Sequence, residues 1–193
     1  MSKIYKALQR AEAEREGEPR SRQTRPTDIL APTRDAHRAP PHVEIPERRE
    51  EYEKLKVMLT LEAARSELRS VMLVSALPGE GVSTVTLGLA ATMAEVSRQG
   101  VLLIDLNSAN PVLTDRLGVE PTVGLGELLA KDGTRAEAIV ESEVPHLFVL
   151  GRGRGSADLS QPSSLALFEE LVRGMRSDFD HLILDGGALS TSP

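Results

Sequence analysis

Val71-Met72-Leu73-Val74-Ser75-Ala76-Leu77-Pro78-Gly79-Glu80-Gly81-Val82-Ser83-Thr84 is the stretch that decides the fold. Four apolar residues make a strand, a Gly-containing turn ends it, and a helix starts at once. Residues 82–94 carry no charge, which predicts that this helix is buried. A turn between strand and helix aims backbone N–H groups and a helix N-terminus at one point, which suits an anion. A complete phosphate loop reads G-x-x-x-x-G-K-[ST]. Counting back from Gly81 puts Ala76 at the first glycine, Val82 at the lysine and Ser83 at the hydroxyl that meets magnesium. Pro78, Gly79, Glu80, Gly81, Val82, Ser83 and Thr84 are therefore the candidate phosphate-binding residues. A tight turn with no ligand accounts for the loop equally well, and the loop alone leaves both readings open.

Working outward, three more short apolar runs follow: 101–104, 147–150 and 182–184. Helical stretches lie between them at about 82–97, 124–130 and 163–177. Continuous apolar strands alternating with helices predict an α/β fold, a parallel sheet with helices on both faces. Upstream, a helix is expected from Glu47 to Leu68, with Pro46 near its first turn and Leu55, Met58, Leu59, Leu61 and Leu68 as its apolar face. Residues 17–46 hold six of the twelve prolines and show no periodicity, so they read as a Pro/Arg-rich linker. Residues 1–16 read as an amphipathic helix with a thin apolar stripe, either a frayed end or a docking helix for a partner. The remaining unit, 47–193, is the folded domain.

Composition narrows the function classes. Of 193 residues, 40% are hydrophobic but only 3% aromatic, so the core is aliphatic. Scarce aromatics and a net charge of −6 speak against a nucleic-acid binder. With no cysteine there is no disulfide and no thiolate metal site, in keeping with a cytoplasmic location. No apolar window reaches membrane-spanning length.

Several motifs, in order, resemble the bacterial tyrosine kinases of capsule and exopolysaccharide systems, the CpsD/CapB proteins and Wzc-like co-polymerase domains. They are the opening 1–8, the helix 50–56, Ser75 to Gly81, the run 101–105, Gly124-Leu125-Gly126-Glu127-Leu128-Leu129, Gln161-Pro162-Ser163-Ser164-Leu165 and 179–185. The resemblance implies a MinD-like phosphate-loop domain that uses ATP and Mg2+ to phosphorylate its own tyrosines. It also implies a partner, either a membrane co-polymerase or an intact kinase subunit, and an oligomer through residues 47–68. By the same resemblance the chain is cytoplasmic, peripheral to the inner membrane through that partner. The family's domain runs on past the point matching Pro193, into further strands and a tyrosine-bearing tail. The chain is thus expected to be short at its C-terminus, leaving 71–74 as an edge strand.

Carried over residue by residue, the family site is depleted. Val82 stands at the lysine. In the family's D-x-D-x-R motif Asp105 keeps the first acid, Asn107 replaces the second and Ala109 the arginine. Asp185 stands at the second acidic motif, followed by Gly186-Gly187-Ala188 in place of the usual turn. Ser83, Asp105 and Asp185 are the candidate metal ligands, and Asp105 and Asp185 the only family-equivalent catalytic positions. In the helical pattern E-x-x-R-x-x-R, Glu50 matches, Glu53 reverses a sign and Lys56 matches in charge. Arg152 and Arg154 read as solvated loop residues or as replacement charge. The expectation is a non-catalytic or weakly nucleotide-binding partner protein, the alternative an active kinase or ATPase of the same family. A partition-type ATPase is disfavoured, because no lysine stands early in the loop.

Overall fold

The structure, a computed structural model, describes residues 49–66, 68–107, 110–155 and 158–189. The expected helix 1–16, the linker 17–46 and Ala109 lie outside the described residues. Helix α1 spans Arg49–Ser66, within the expected 47–68. Strand β1 (Ser70–Ser75), helix α2 (Val82–Ala94) and strand β2 (Val101–Asp105) follow. Three short helices come next: α3 (Leu113–Arg116), α4 (Leu125–Ala130) and α5 (Arg135–Ala138). Strands β3 (Ile139–Glu141) and β4 (Leu147–Leu150), helix α6 (Pro162–Met175) and strand β5 (His181–Ala188) complete the described chain.

The five strands form one sheet in the order β1-β5-β2-β4-β3. The neighbours β1–β5, β5–β2 and β2–β4 pair in parallel. Alternate residues of each central strand feed opposite cores, as a period of two dictates. Val101, Leu103, Leu147, Val149 and Ile183 pack with α2 and α3 on one face, joined by Leu55 and Leu59 of α1. Leu102, Ile104, Phe148, Leu150, Leu182 and Leu184 pack with α4 and α6 on the other. Burying each such leucine is worth roughly 1.5–3 kcal/mol, so the two layers carry most of the driving force. The uncharged helix is buried as its composition demands, from Thr86 through Ala94.

One expectation needs correction. The sheet is mixed, not wholly parallel, because β3 runs antiparallel to β4. Only residues 142–146 separate the two strands. A parallel crossover needs a dozen residues or more, so a link this short can only turn the chain back. Ser142 helps the turn: its Oγ accepts from Val144 N at 3.2 Å, and its N–H donates to Leu147 O at 2.9 Å.

β1 ends the sheet on the other side, with Met72 51% and Val74 46% exposed. Their alternate partners Val71 and Leu73 turn into the α2 face. Among the described residues, no strand pairs with the outer edge of β1.

Candidate functional site

The C-terminal ends of β1, β2 and β5 converge, the usual place for ligands in an open α/β sheet. The turn 76–81 leaves β1, and α2 begins at Val82. Gly79 and Gly81 both have φ of 84°, a conformation that glycine adopts freely. A β-carbon at either position would meet nothing within 4 Å, so the space beside the turn is open. The first turn of α2 has no side-chain cap. Its N–H groups and dipole therefore remain available to an anion.

Glu80 behaves differently from a ligand contact. Its Oε2 accepts from Ala76 N at 2.9 Å and Leu77 N at 3.1 Å, which folds the carboxylate back on the start of the turn. That bracing fixes the loop's shape. Val82, Ser83 and Thr84 are half-buried at the helix start. Val82 offers an aliphatic side chain and no charge.

The two acidic positions are brought side by side. Asp105 and Asp185 are register partners at the ends of β2 and β5, 1% and 0% exposed. Asp105 is clamped: Oδ1 accepts from Asn107 N at 3.0 Å and Oδ2 from Leu113 N at 3.3 Å. Burial raises its pKa to about 6, and the neighbouring Asp185 pushes the same way. The N–H groups of Leu113 and Asn107 and the charge of Arg152 pull against this shift. Asp185 Oδ1 accepts from Gly187 N at 3.0 Å, whereas its buried Oδ2 has no hydrogen-bond partner among the described residues. A buried carboxylate oxygen without a donor is costly.

Gly186 and Gly187, which stand where the family has a different turn, continue β5 through a bulge. The register slips between Leu73 and Ser75, and Gly187 takes φ of 68°. The bulge re-aims the chain just after Asp185.

Asn107 Oδ1 accepts from Asn110 N at 3.1 Å, which spends one of its two lone pairs within its own loop. Among the described residues no cluster of three or more His, Cys, Asp or Glu could hold a metal. Two carboxylates and the Ser83 hydroxyl fit a hard cation such as Mg2+ only where phosphate and water oxygens complete its shell. The orphaned Asp185 oxygen is the observation that favours such a fit.

Two arginines lie near these groups. Arg116, on α3, donates from Nη1 to Thr84 Oγ1 at 2.9 Å. Nothing in the sequence singled it out; only the fold brings residue 116 to residue 84. Arg152 follows β4, and its charge reaches Asp105, so a wholly solvated reading of it is incomplete. The Gly-rich loop carrying Arg152 and Arg154 is held by Glu127. That carboxylate accepts from Gly124 N at 2.8 Å, Arg154 N at 2.9 Å and Gly155 N at 2.6 Å. Burial tends to raise the Glu127 pKa, but these N–H donors outweigh it and lower the value.

No family model matches the chain. Individual relatives do. The tyrosine-protein kinase YwqD of Bacillus subtilis (strain 168) is 31% identical over 136 residues, covering 70% of this chain and 57% of YwqD. The succinoglycan biosynthesis transport protein ExoP of Rhizobium meliloti (strain 1021) is 32% identical over 130 residues, 66% of this chain and 16% of ExoP. The chain thus spans little more than half of one relative and a small part of the other. Among solved structures, the kinase domain of the Escherichia coli tyrosine kinase ETK superposes with a TM-score of 0.64 at 21% identity. The match covers 78% of this chain and 59% of that domain. The α/β, MinD-like phosphate-loop fold expected from the sequence is the fold of this chain.

Proposed function

This chain is a homologue of the bacterial tyrosine kinases of capsule and exopolysaccharide biosynthesis, and on that footing we propose that it is a non-catalytic member of such a system. In this reading it binds nucleotide weakly or not at all. It acts as a partner or regulator of a membrane co-polymerase or of a competent kinase subunit. One observation carries the reading: Val82 occupies the first position of α2, where phosphoryl transfer calls for a lysine. A lysine there would meet the β- and γ-phosphates and offset charge as the phosphoryl group leaves. Removing one comparable preorganised donor costs roughly 3–4 kcal/mol of transition-state stabilisation.

What this chain's own residues can still do is limited and specific. The uncapped N-terminus of α2 can hold a phosphate, the Ser83 hydroxyl and Asp185 Oδ2 can face its cation, and Glu80 keeps the loop in shape. Mg-ATP would supply the transferable phosphoryl group. The alternative reading, an active kinase or ATPase, draws its support from the retained Asp105–Asp185 pair. Tyr52 is a poor acceptor in either case, because it is only 6% exposed.

Association through 47–68 belongs to the same proposal. Val57, Met58 and Leu61 of α1 are 52%, 67% and 62% exposed, an apolar stripe that self-association or a partner would cover. Among the described residues no helix is long and apolar enough to cross a membrane, so a membrane role would run through the partner.

The test is calorimetry with Mg-ATP together with an autophosphorylation assay, on the parent chain and on Val82→Lys. The proposal expects no labelling of the parent and a gain in nucleotide affinity in Val82→Lys. Labelling of the unmodified chain by ATP would sink it.

A further inference from the structure

We propose that Arg116 supplies, from a different element, the positive charge that Val82 withholds, and that it binds the phosphate of a nucleoside diphosphate or triphosphate at the start of α2. The inference rests on the reading above that a phosphate is held there, and it names the residue that makes weak binding possible.

Three observations carry it. Arg116 Nη1 lies 2.9 Å from Thr84 Oγ1, in the first turn of α2, the helix that begins at the turn 76–81. In that bond Thr84 is the acceptor, so its hydroxyl proton remains free to meet a phosphate oxygen. Secondly, Arg116 is half-buried and forms no ion pair among the described residues. Glu80 is folded back on Ala76 and Leu77, and Asp105 on Asn107 and Leu113, so these two site carboxylates are engaged elsewhere. A guanidinium carries five donors, and Arg116 spends one of them on Thr84.

Thirdly, the group is positioned, not trailing. Asp105 Oδ2 accepts from Leu113 N, the first residue of α3, and Arg116 N donates to Val112 O at 3.0 Å. The same carboxylate that ends β2 thus sets the short helix that presents Arg116. Three carboxyl groups, Asp105, Asp185 and Glu80, lie around the site, and a polyphosphate would add negative charge to it. Binding needs a cation beyond the helix dipole, which supplies only about half an elementary charge. Arg152 is the competing candidate, but the charge it brings acts on the Asp105 carboxylate.

The experiment is Mg-ADP titration by calorimetry at two ionic strengths, on the parent, Arg116→Gln, Arg116→Lys and Arg152→Gln. Thermal melts without nucleotide serve as the fold control. Arg116→Gln is expected to weaken Mg-ADP by about tenfold or more, the scale of a lost charge-assisted bond. Its affinity should also depend less on salt than the parent's. Arg116→Lys should recover part of the loss, and Arg152→Gln should lose less than Arg116→Gln. A mere brace between α3 and α2 would move the melting point and leave the salt dependence unchanged.

Affinity in Arg116→Gln within twofold of the parent overturns the inference, as does a loss confined to Arg152→Gln. A parent chain that takes up no Mg-ADP at millimolar concentration overturns it too, while leaving the non-catalytic proposal standing. Conversely, ATP labelling of the parent defeats that proposal and leaves Arg116 in place.

Discussion

Asp105 is the residue at which packing and chemistry compete most directly. Burial beside Asp185 raises its carboxyl to about 6, well above the 3.8 of a free aspartate. A raised folded-state pKa means that the native protein holds this proton more tightly than the unfolded chain. The corresponding stability is fully present below about pH 4 and is lost as pH rises through about 6. We therefore expect the metal-free parent to lose stability relative to Asp105→Asn, by on the order of 2 kcal/mol between pH 4 and pH 7. Urea titrations in EDTA at several pH values read this difference. The asparagine loses one acceptor for Leu113 N, but that cost is constant with pH and drops out of the slope. A flat difference across the range would mean that Asp105 titrates as an ordinary carboxylate. Val82 presents the opposite case, a side chain whose replacement touches function more than fold. Val82→Lys changes a half-buried side chain at the first position of α2, next to the open space beside Gly81, so its melting point should stay within a few degrees of the parent's, with Mg-ATP bound more tightly.

Among the elements, α1 depends on one close seam. Tyr52 is buried, and its ring lies so near Gly88 of α2 that a β-carbon there would overlap it. Helix propensity favours Gly88→Ala by roughly 1 kcal/mol, yet overpacking of this kind costs about 1–3 kcal/mol. The net expected effect is destabilisation that largely disappears in the Tyr52→Ala background, because the clash needs both side chains. A double-mutant cycle by chemical denaturation measures this. Additive single effects would show that the seam is not what holds α1. At the opposite margin of the sheet, β1 has one unpaired edge among the described residues and two half-exposed apolar side chains, Met72 and Val74. Such an edge invites pairing. In a monomer the amides of residues 71–75 should exchange faster with solvent than those of β2, which is paired on both sides. Equal protection of the two strands in a monomer would overturn this expectation.

For the molecule as a whole, what the sequence disclosed divides along the range of the interactions involved. Strands β1, β2, β4 and β5 and helices α2 and α6 were legible because each is a local pattern, an apolar run or an amphipathic period. The hairpin of β3 was not, since Ile139–Glu141 is too short to show a period and its direction is set by the brevity of the link to β4. Likewise, the acidic pair could be read from motifs, but Arg116 at Thr84 spans 32 residues and exists only once α3 has docked. The site's electrostatics are also a property of the assembled sheet. Three strand ends and a helix start crowd two buried carboxylates together, and Asp185 Oδ2 is left without a donor among the described residues. The native state thus carries an unmet demand for a donor or a cation that the unfolded chain, bathed in water, does not share. Any cation that satisfies it must stabilise the fold by mass action, by about RT ln(1 + [L]/Kd). Millimolar Mg2+ should consequently raise the melting temperature at pH 7.5, further when ADP is present, and the gain should vanish in Asp185→Asn. Ca2+ at the same concentration, larger and less fitted to a site with few protein ligands, should do less. If Mg2+ with ADP leaves the parent's melting curve unmoved, the acidic pair is an inherited packing feature and holds no cation.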